Sequence, residues 1–482
     1  MFDLRPVGYV IGLLVASLGL TMLAPMAVDM AQGNGHWPVF LESFVVTTLT
    51  GGLVALACAN GVGEGLSLRQ TFLLTSLVWL TLPVFGAIPF VLGATNSGVT
   101  DAYFEAMSGL TTTGATVLSG LEALPDGLKL WRAILQWLGG VGIVVVAMVF
   151  LPELRVGGMQ IFRSEAFDTM GKILPRAGAI ARSISGIYIG LTVLCVGAYL
   201  AAGMTFFDAI CHALTSVSTG GMANYDASFS DFGPSVHYFA VIFMVLAALP
   251  FVRYVQFLAG TPQPLWRDTQ IRTFLWIVTV VTLMVTAWLW GREGDLTEQA
   301  FRDSLFNVTS IMTGTGYSSE DYMTWGTFPV VIFFLIGLIG GCAGSTSCSV
   351  KVFRYQLLFA SIKAQIKQIQ SPHGIFVPRY DGRPVGQDVL NSVMAFFVAF
   401  FLSMGLFSVA LGMTGLDFIT AVSGAATALG NIGPGLGPEI GPAGNFAGLN
   451  DPAKWVLSAA MFVGRLEIMV VLVILSVRFW RN

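Results

Sequence analysis

Residues 309–317 read TSIMTGTGY, and three other segments echo them: 109–116 (GLTTTGAT), 215–222 (TSVSTGGM) and 426–435 (ATALGNIGPG). Each closes a short amphipathic run and precedes a long apolar one. The chain therefore repeats one unit four times: apolar helix, short helix, Gly/Thr turn, apolar helix. A turn of Gly and Thr projects little side chain, so its backbone carbonyls are free to line a narrow path. Rings of such carbonyls replace the hydration shell of an alkali cation in selective pores. Four turns meeting on one axis would conduct a monovalent cation.

Composition sets the environment. The chain has 482 residues, 55% hydrophobic and 11% charged, with mean hydropathy +0.76. A soluble chain of this size carries roughly 25% charged residues, so an all-α polytopic membrane protein is expected. The net charge of -3 says little, because topology depends on where charges lie. Cys58, Cys195, Cys211, Cys342 and Cys348 make no metal-ligand spacing, and an odd count argues against a disulfide framework. His36, His212, His237 and His373 are dispersed, and none reads as a ligand. The first apolar segment, 7–28, exceeds a signal-peptide core of about 7–15 residues and reads as a retained helix.

A spanning helix needs about 20 mainly apolar residues. Two segments, 7–28 and 39–59, precede the first turn and form an N-terminal hairpin within residues 1–65. Pore repeats follow at 66–155, 183–258, 270–350 and 386–482, with a basic linker at 351–385. Two spans in the hairpin and two per repeat make ten, with both termini on one side. The linkers hold Arg155, Arg163, Lys172, Arg176, Arg182, Lys351, Arg354, Lys363, Lys367, Arg379 and Arg383; the regions around the turns hold most carboxylates, Asp101, Glu105, Asp208, Asp303 and Asp417 among them. The positive-inside rule puts the linkers and termini in the cytoplasm and the turns outside. An acidic outer mouth would concentrate cations, although a merely solvated surface accounts equally well for any single carboxylate. Lys129 and Arg132 stand on the outer side against this bias. With their long stems they are read as reaching the interface, without a role.

The turns superimpose by spacing. Asp101 to Gly114, Asp208 to Gly220 and Asp303 to Gly316 are 13, 12 and 13 steps, whereas Asp417 to Gly433 is 16. The pore glycines read this way are Gly114, Gly220, Gly316 and Gly433, with Gly430 a rival for the last. The ion-lining set is Thr112, Thr113 and Gly114; Ser218, Thr219 and Gly220; Gly314, Thr315 and Gly316; Asn431, Ile432 and Gly433. Glycine suits these places because an inward carbonyl in a tight turn often needs a positive φ. The short helices would aim their carbonyl ends, and a partial negative charge, at the ion.

TTTGAT (111–116), STGG (218–221), TGTGY (313–317) and GNIGPG (430–435) resemble the Trk/Ktr/HKT superfamily of cation transporters. The hairpin, GGVGIVV (139–145) and the final GNIGPG are most similar to its bacterial TrkH/TrkG branch, and the likeness spans essentially the whole chain. The resemblance implies a potassium-uptake subunit of the bacterial inner membrane, usually a homodimer. It also implies gating by a cytosolic Rossmann-type ring that binds nucleotide. Gly114 matches the potassium-selective pattern, where some sodium-favouring plant members carry Ser. Potassium would be cargo; no organic cofactor and no nucleic-acid partner are expected, and lipid is the remaining neighbour.

Two further features stand out. GGCAGSTSCS (340–349) interrupts the third repeat's second helix, placing Gly341, Cys342, Ala343, Gly344, Ser345, Thr346 and Ser347 at membrane depth. Irregular backbone survives there only against protein or a water-filled cavity. It reads either as a flexible constriction under the turns, the role the family resemblance implies, or as small residues that let helices pack closely. Arg465 lies in AMFVGRLEIMVV (460–471), where an unpaired charge is costly. Glu467, two residues on, faces away on a helix, so Arg465 either points into the pore or pairs with a remote carboxylate. A proton- or sodium-coupled carrier is the rival class, but it would normally show inverted repeats and a carboxylate within a span. No nucleotide fingerprint or catalytic triad is present, so the chain does not read as an enzyme.

Overall fold

The computed structural model describes residues 3–61, 66–149, 177–295 and 297–481; most of the linker at 153–182, with Arg155, Arg163, Lys172 and Arg176, lies outside the described residues. Among the described residues, seven helices are long and apolar enough to span a bilayer, and two bent pairs raise the total to nine. The expected tenth, in the third repeat, is Thr327–Gly337, only 11 residues. At about 1.5 Å rise per residue it covers roughly half a hydrocarbon core.

Each unit has the same order. The first runs Leu68–Gly86 and Ile88–Leu92, then Val99–Leu110, then Asp126–Val149. The second is Ala177–Ala201, Phe206–Val217, and Pro234–Ala247 bent by 89° into Phe251–Leu258. Thr269–Glu293, Glu298–Thr313 and Thr327–Gly337 make the third. Gln387–Met413, Phe418–Gly430, and Asp451–Arg465 bent by 105° into Ile468–Leu475 make the fourth. Side-chain caps start the short helices where the sequence supplies them: Thr205 accepts from the Asp208 N–H, Thr297 from Ala300, and Asp417 from Ile419 and Thr420. Such caps satisfy amides that the helix itself leaves orphaned.

The surface is apolar where it should face lipid. Gln387–Met413 has the highest mean hydropathy of the spans, 2.3, yet only 22% of that window is buried. A soluble protein would hide such a helix, so its partner is hydrocarbon. In the N-terminal hairpin, Gly12 and Gly51 bring Arg5–Thr21 and Trp37–Cys58 into contact; a Cβ at Gly12 would lie 2.7 Å from the Gly51 carbonyl oxygen. Small residues permit this close approach where no hydrophobic force drives association. Asp29, fully buried, pins the hairpin to the first repeat by accepting from the Gly127 N–H (2.9 Å) and Asn34 Nδ2 (2.8 Å), with His36 Nδ1 3.0 Å away.

The basic linker is largely a helix, Val352–Gln370, followed by a two-residue hairpin pairing Arg379–Tyr380 with Arg383–Pro384. Two of its charges are not linker charges at all. Lys351 and Arg354 are buried, and Arg354 Nη2 pairs with Glu467 at 2.5 Å. Glu467 is thus neither a free carboxylate nor a partner for Arg465.

Candidate ion pathway

The four turns close the ends of the four short helices with one backbone pattern. The N–H groups of Thr112, Thr219, Gly314 and Asn431 donate to the carbonyls three residues back, Gly109, Ser216, Ile311 and Ala428. The next N–H groups, of Thr113, Gly220, Thr315 and Ile432, donate five residues back, to Ser108, Thr215, Ser310 and Thr427. Positive φ then recurs in pairs: Thr112 and Gly114, Thr219 and Gly221, Gly314 and Gly316, Asn431 and Gly433. A β-branched residue at positive φ is unfavourable, so Thr112 and Thr219 hold that conformation only because the surroundings over-determine it.

This pattern corrects the second register. The residue matching Gly114, Gly316 and Gly433 is Gly221, not Gly220, and Ser218 is the helix cap before the triplet. From Asp208 the spacing then becomes 13, as in the first and third turns. The fourth spacing of 16 arises because Asp417 is the cap itself, whereas Asp101 and Asp208 lie inside the first helical turn. Gly430 is the last residue of its helix and stands outside the triplet.

The turns meet in a closed ring. A methyl added at Gly114 would overlap the Gly220 carbonyl oxygen, one at Gly221 that of Thr315, and one at Gly316 that of Ile432. At Gly433 it would lie 2.9 Å from the Thr113 carbonyl oxygen, which returns to the first turn. Gly114, Gly221, Gly316 and Gly433 all line one open cavity of about 180 Å³. Side chains brace three of the four junctions. Asn431 Nδ2 donates to Thr113 Oγ1 (3.0 Å), Gln136 Nε2 to the Gly220 carbonyl (2.6 Å), and the Tyr317 hydroxyl meets Thr215 Oγ1.

Arg132 does not reach the interface. It is buried, its Nε 2.8 Å from Glu105, and Nη1 donates to the Ala223 carbonyl just beyond the second turn (2.7 Å). Glu105 in turn accepts from the Val117 N–H and Thr116 Oγ1, both 3.0 Å away. Fully paired, the two charges tie the first short helix to the segments after two turns, which offsets the cost of burying them. Other carboxylates expected at an acidic mouth are likewise occupied. Asp101 pairs with Lys454 (2.6 Å), Asp208 accepts from Asn224 (2.9 Å) and Tyr225 (3.0 Å), and Asp303 accepts from Ser319 (2.8 Å).

On the linker side of the ring lies the irregular segment 338–351, buried along most of its length. Its backbone is satisfied by the broken helix of the second repeat. The Cys342 N–H donates to the Ala248 carbonyl (3.0 Å), Thr346 N–H to Ala247 (3.3 Å), and Phe251 N–H returns a bond to Gly344 (2.9 Å). Two discontinuities thus supply each other's missing partners, the condition for non-helical backbone at this depth. The segment also touches three turns. Thr219 Oγ1 donates to Thr346 Oγ1 (3.2 Å), Ser349 Oγ to the Gly430 carbonyl (3.2 Å), and a Cβ at Gly314 would lie 4.0 Å from Ser347 Oγ. Arg465, buried at the bend of the fourth repeat, donates to Cys348 Sγ and to the Gly139 carbonyl (2.8 Å), with its guanidinium 5.2 Å from the Trp79 ring centre. The expected alternatives were a pore-facing charge or a carboxylate pair. The observed partners are a thiol and a carbonyl, which bridge the irregular segment to the first repeat.

Several of these residues were missed by sequence reasoning. Gln136 is a polar residue inside an apolar run, which is itself a signal in a membrane helix. Glu105 and Arg132 were visible only as separate charges, 27 residues apart.

Four helix, short-helix, turn, helix units around one axis, sheathed in apolar surface, define a polytopic membrane transport protein. The family model of TrkH, a cation transport protein, matches residues 36–480. The Trk system potassium uptake protein TrkI of Halomonas elongata is 42% identical over 479 residues, covering 99% of this chain and 97% of that protein. TrkH of Escherichia coli is 35% identical, with 99% of each chain covered. The crystal structure of the potassium transporter TrkH from Vibrio parahaemolyticus superimposes with TM-score 0.91 at 34% identity, covering 100% of both chains. The chain belongs to the TrkH family of cation transport proteins, which are transporters and not enzymes.

Proposed function

We propose that this chain takes up potassium across the bacterial inner membrane, the ion passing through the ring formed by Thr112–Gly114, Thr219–Gly221, Gly314–Gly316 and Asn431–Gly433. The observation that carries this reading is the closure of the ring. Each turn's glycine abuts the carbonyl of the next turn, and the fourth returns to the first. Alternating φ signs turn successive carbonyls toward one side, as an ion path needs, and a dehydrated cation is stabilised by such dipoles. The carbonyl ends of four short helices add their partial negative charge. The names of the relatives, Trk system potassium uptake proteins, supply the ion.

In this reading the pore units are 66–155, 183–258, 270–350 and 386–482, and residues 341–347 are the gate. Proximity of Thr346 and Ser347 to two of the turns, and bonds to the second repeat's bend, support that role. Arg465 sets the electrostatic barrier at the gate. Its Arg465→Ala variant changes conductance or selectivity while remaining folded; loss of folding alone would reduce it to a structural brace. The linkers and termini face the cytoplasm, where Lys363, Lys367, Arg379 and Arg383 meet anionic lipid headgroups or a nucleotide-binding Rossmann-type regulatory ring, and the working unit is a homodimer.

Coupled transport is the competing mechanism. No carboxylate belongs to the ring triplets, and Glu105 beside them is neutralised by Arg132, which favours passive flow. Flux through purified protein in vesicles decides between them. Potassium accumulation driven by membrane potential alone, with sodium excluded, supports the channel-like reading; an absolute requirement for a proton or sodium gradient overturns it.

A further inference from the structure

The four turns differ at one place. Thr113, Thr315 and Ile432 carry side chains at the middle of their triplets, whereas the second turn has Gly220 there. The space is filled by Gln136, from the interior of Asp126–Val149 and 84 residues away in sequence. A Cβ at Gly220 would lie 2.7 Å from Gln136 Nε2, which is closer than real contacts allow. The double glycine of STGG thus has two separate causes: Gly221 adopts positive φ, and Gly220 makes room for a carboxamide.

Gln136 is fully buried, and two complementary bonds fix its orientation. Its Oε1 accepts from the Met222 N–H (3.0 Å), and its Nε2 donates to the Gly220 carbonyl (2.6 Å). A backbone N–H can only donate, so the amide cannot be reversed. The side chain pairs with residues 220 and 222 as a neighbouring strand would, straddling Gly221. Of the four ring oxygens, that of Gly220 is the one given a side-chain donor among the described residues. A carbonyl already accepting a hydrogen bond offers a cation a weaker field and is less free to move.

We propose that Gln136 is a positioning and specificity-determining residue of the ion path, holding the Gly220 carbonyl back so that the ring cannot contract around a sodium ion. The proposal rests on the reading of the ring as a potassium filter. Without the tether, the Gly220 peptide shifts inward and the smaller ion is accommodated.

The test measures potassium and sodium fluxes in parallel through the full-length protein in vesicles, with thermal unfolding of each variant. Gln136→Leu keeps the bulk and removes both bonds. Its potassium-to-sodium flux ratio falls about tenfold, the size of one buried hydrogen bond. Gly220→Thr alone blocks flux by collision with Gln136. The double variant Gly220→Thr with Gln136→Ala recovers potassium flux, because the vacated space admits a threonine as at Thr113. A folded Gln136→Leu protein with an unchanged ratio overturns the proposal, and so does a double variant as inactive as Gly220→Thr alone. If Gln136→Leu does not fold, the double variant decides. Gly316→Ala separates the two readings. If it leaves flux and ratio intact, the filter reading itself is wrong; if it abolishes flux while the Gln136 variants keep the wild-type ratio, only the present proposal falls.

Discussion

The ring and the segment beneath it are neighbours built on opposite plans. The ring is held by the same two backbone hydrogen bonds at each of four helix ends, and its members press on one another through a carbonyl and a glycine at every junction. The segment 338–351 has no such repetition: its bonds run to the bend after Ala247, to Gln270 and to Gly430, with no shared pattern. A fourfold cage of short backbone contacts has no cheap way to deform. A chain fastened by separate bonds, each worth about 1 kcal/mol net, can release them in turn. Under the proposed function, rigidity would fall where ions are compared and looseness where passage is controlled.

That contrast can be broken from the ring side first. Gly316→Ala puts a methyl on the Ile432 carbonyl oxygen at a positive-φ position. We expect flux to fall more than about a hundredfold, since neither strain nor overlap can relax; near-normal rubidium flux would mean that the ions do not pass through this ring. Glu105→Ala strands Arg132 in a buried site. Unfolding measurements in detergent should register a loss of about 3–5 kcal/mol, and a loss under 1 kcal/mol would mean that the pair is hydrated.

From the other side, shortening 341–347 should raise potassium flux about tenfold if the segment keeps the path closed nine-tenths of the time. Unchanged flux would remove it as a barrier. The smallest effect is expected for Thr346→Val, which deletes the hydroxyl bonded to the Ala247 carbonyl (3.0 Å) and to Thr219. Loss of about 1 kcal/mol should raise basal flux about fivefold with the ion preference unaltered. A changed preference would instead place Thr346 in the ring's own machinery.

The fourfold plan was legible in the sequence because each unit announces its turn locally with Gly, Thr or Asn after an amphipathic run. The register of the second turn was not. Two adjacent glycines at 220 and 221 satisfied the spacing almost equally; what distinguishes them is the positive φ of Gly221 and the approach of Gln136 to Gly220, which no local pattern connects to the turn. Arg132, Lys351 and Arg354 were misread for a related reason. Charge alone does not tell a snorkelling side chain from a buried one whose carboxylate lies far along the chain, as Glu105 and Glu467 do. The irregular segment was visible from its run of small residues, but not its partner, the bend after Ala247, because a helix break leaves its unsatisfied carbonyls without a sequence signature. Arg465 was singled out correctly as anomalous, and its thiol and carbonyl partners could come only from coordinates.

The 89° corner of the second repeat has a mechanical consequence. It gives two carbonyls and one amide to the segment opposite, so neither can straighten alone without stranding polar groups in a waterless place. Phe251–Leu258, eight residues long and so about 12 Å from end to end, begins at that corner, so a displacement of this helix would be felt by the segment through the bond from the Phe251 N–H to the Gly344 carbonyl.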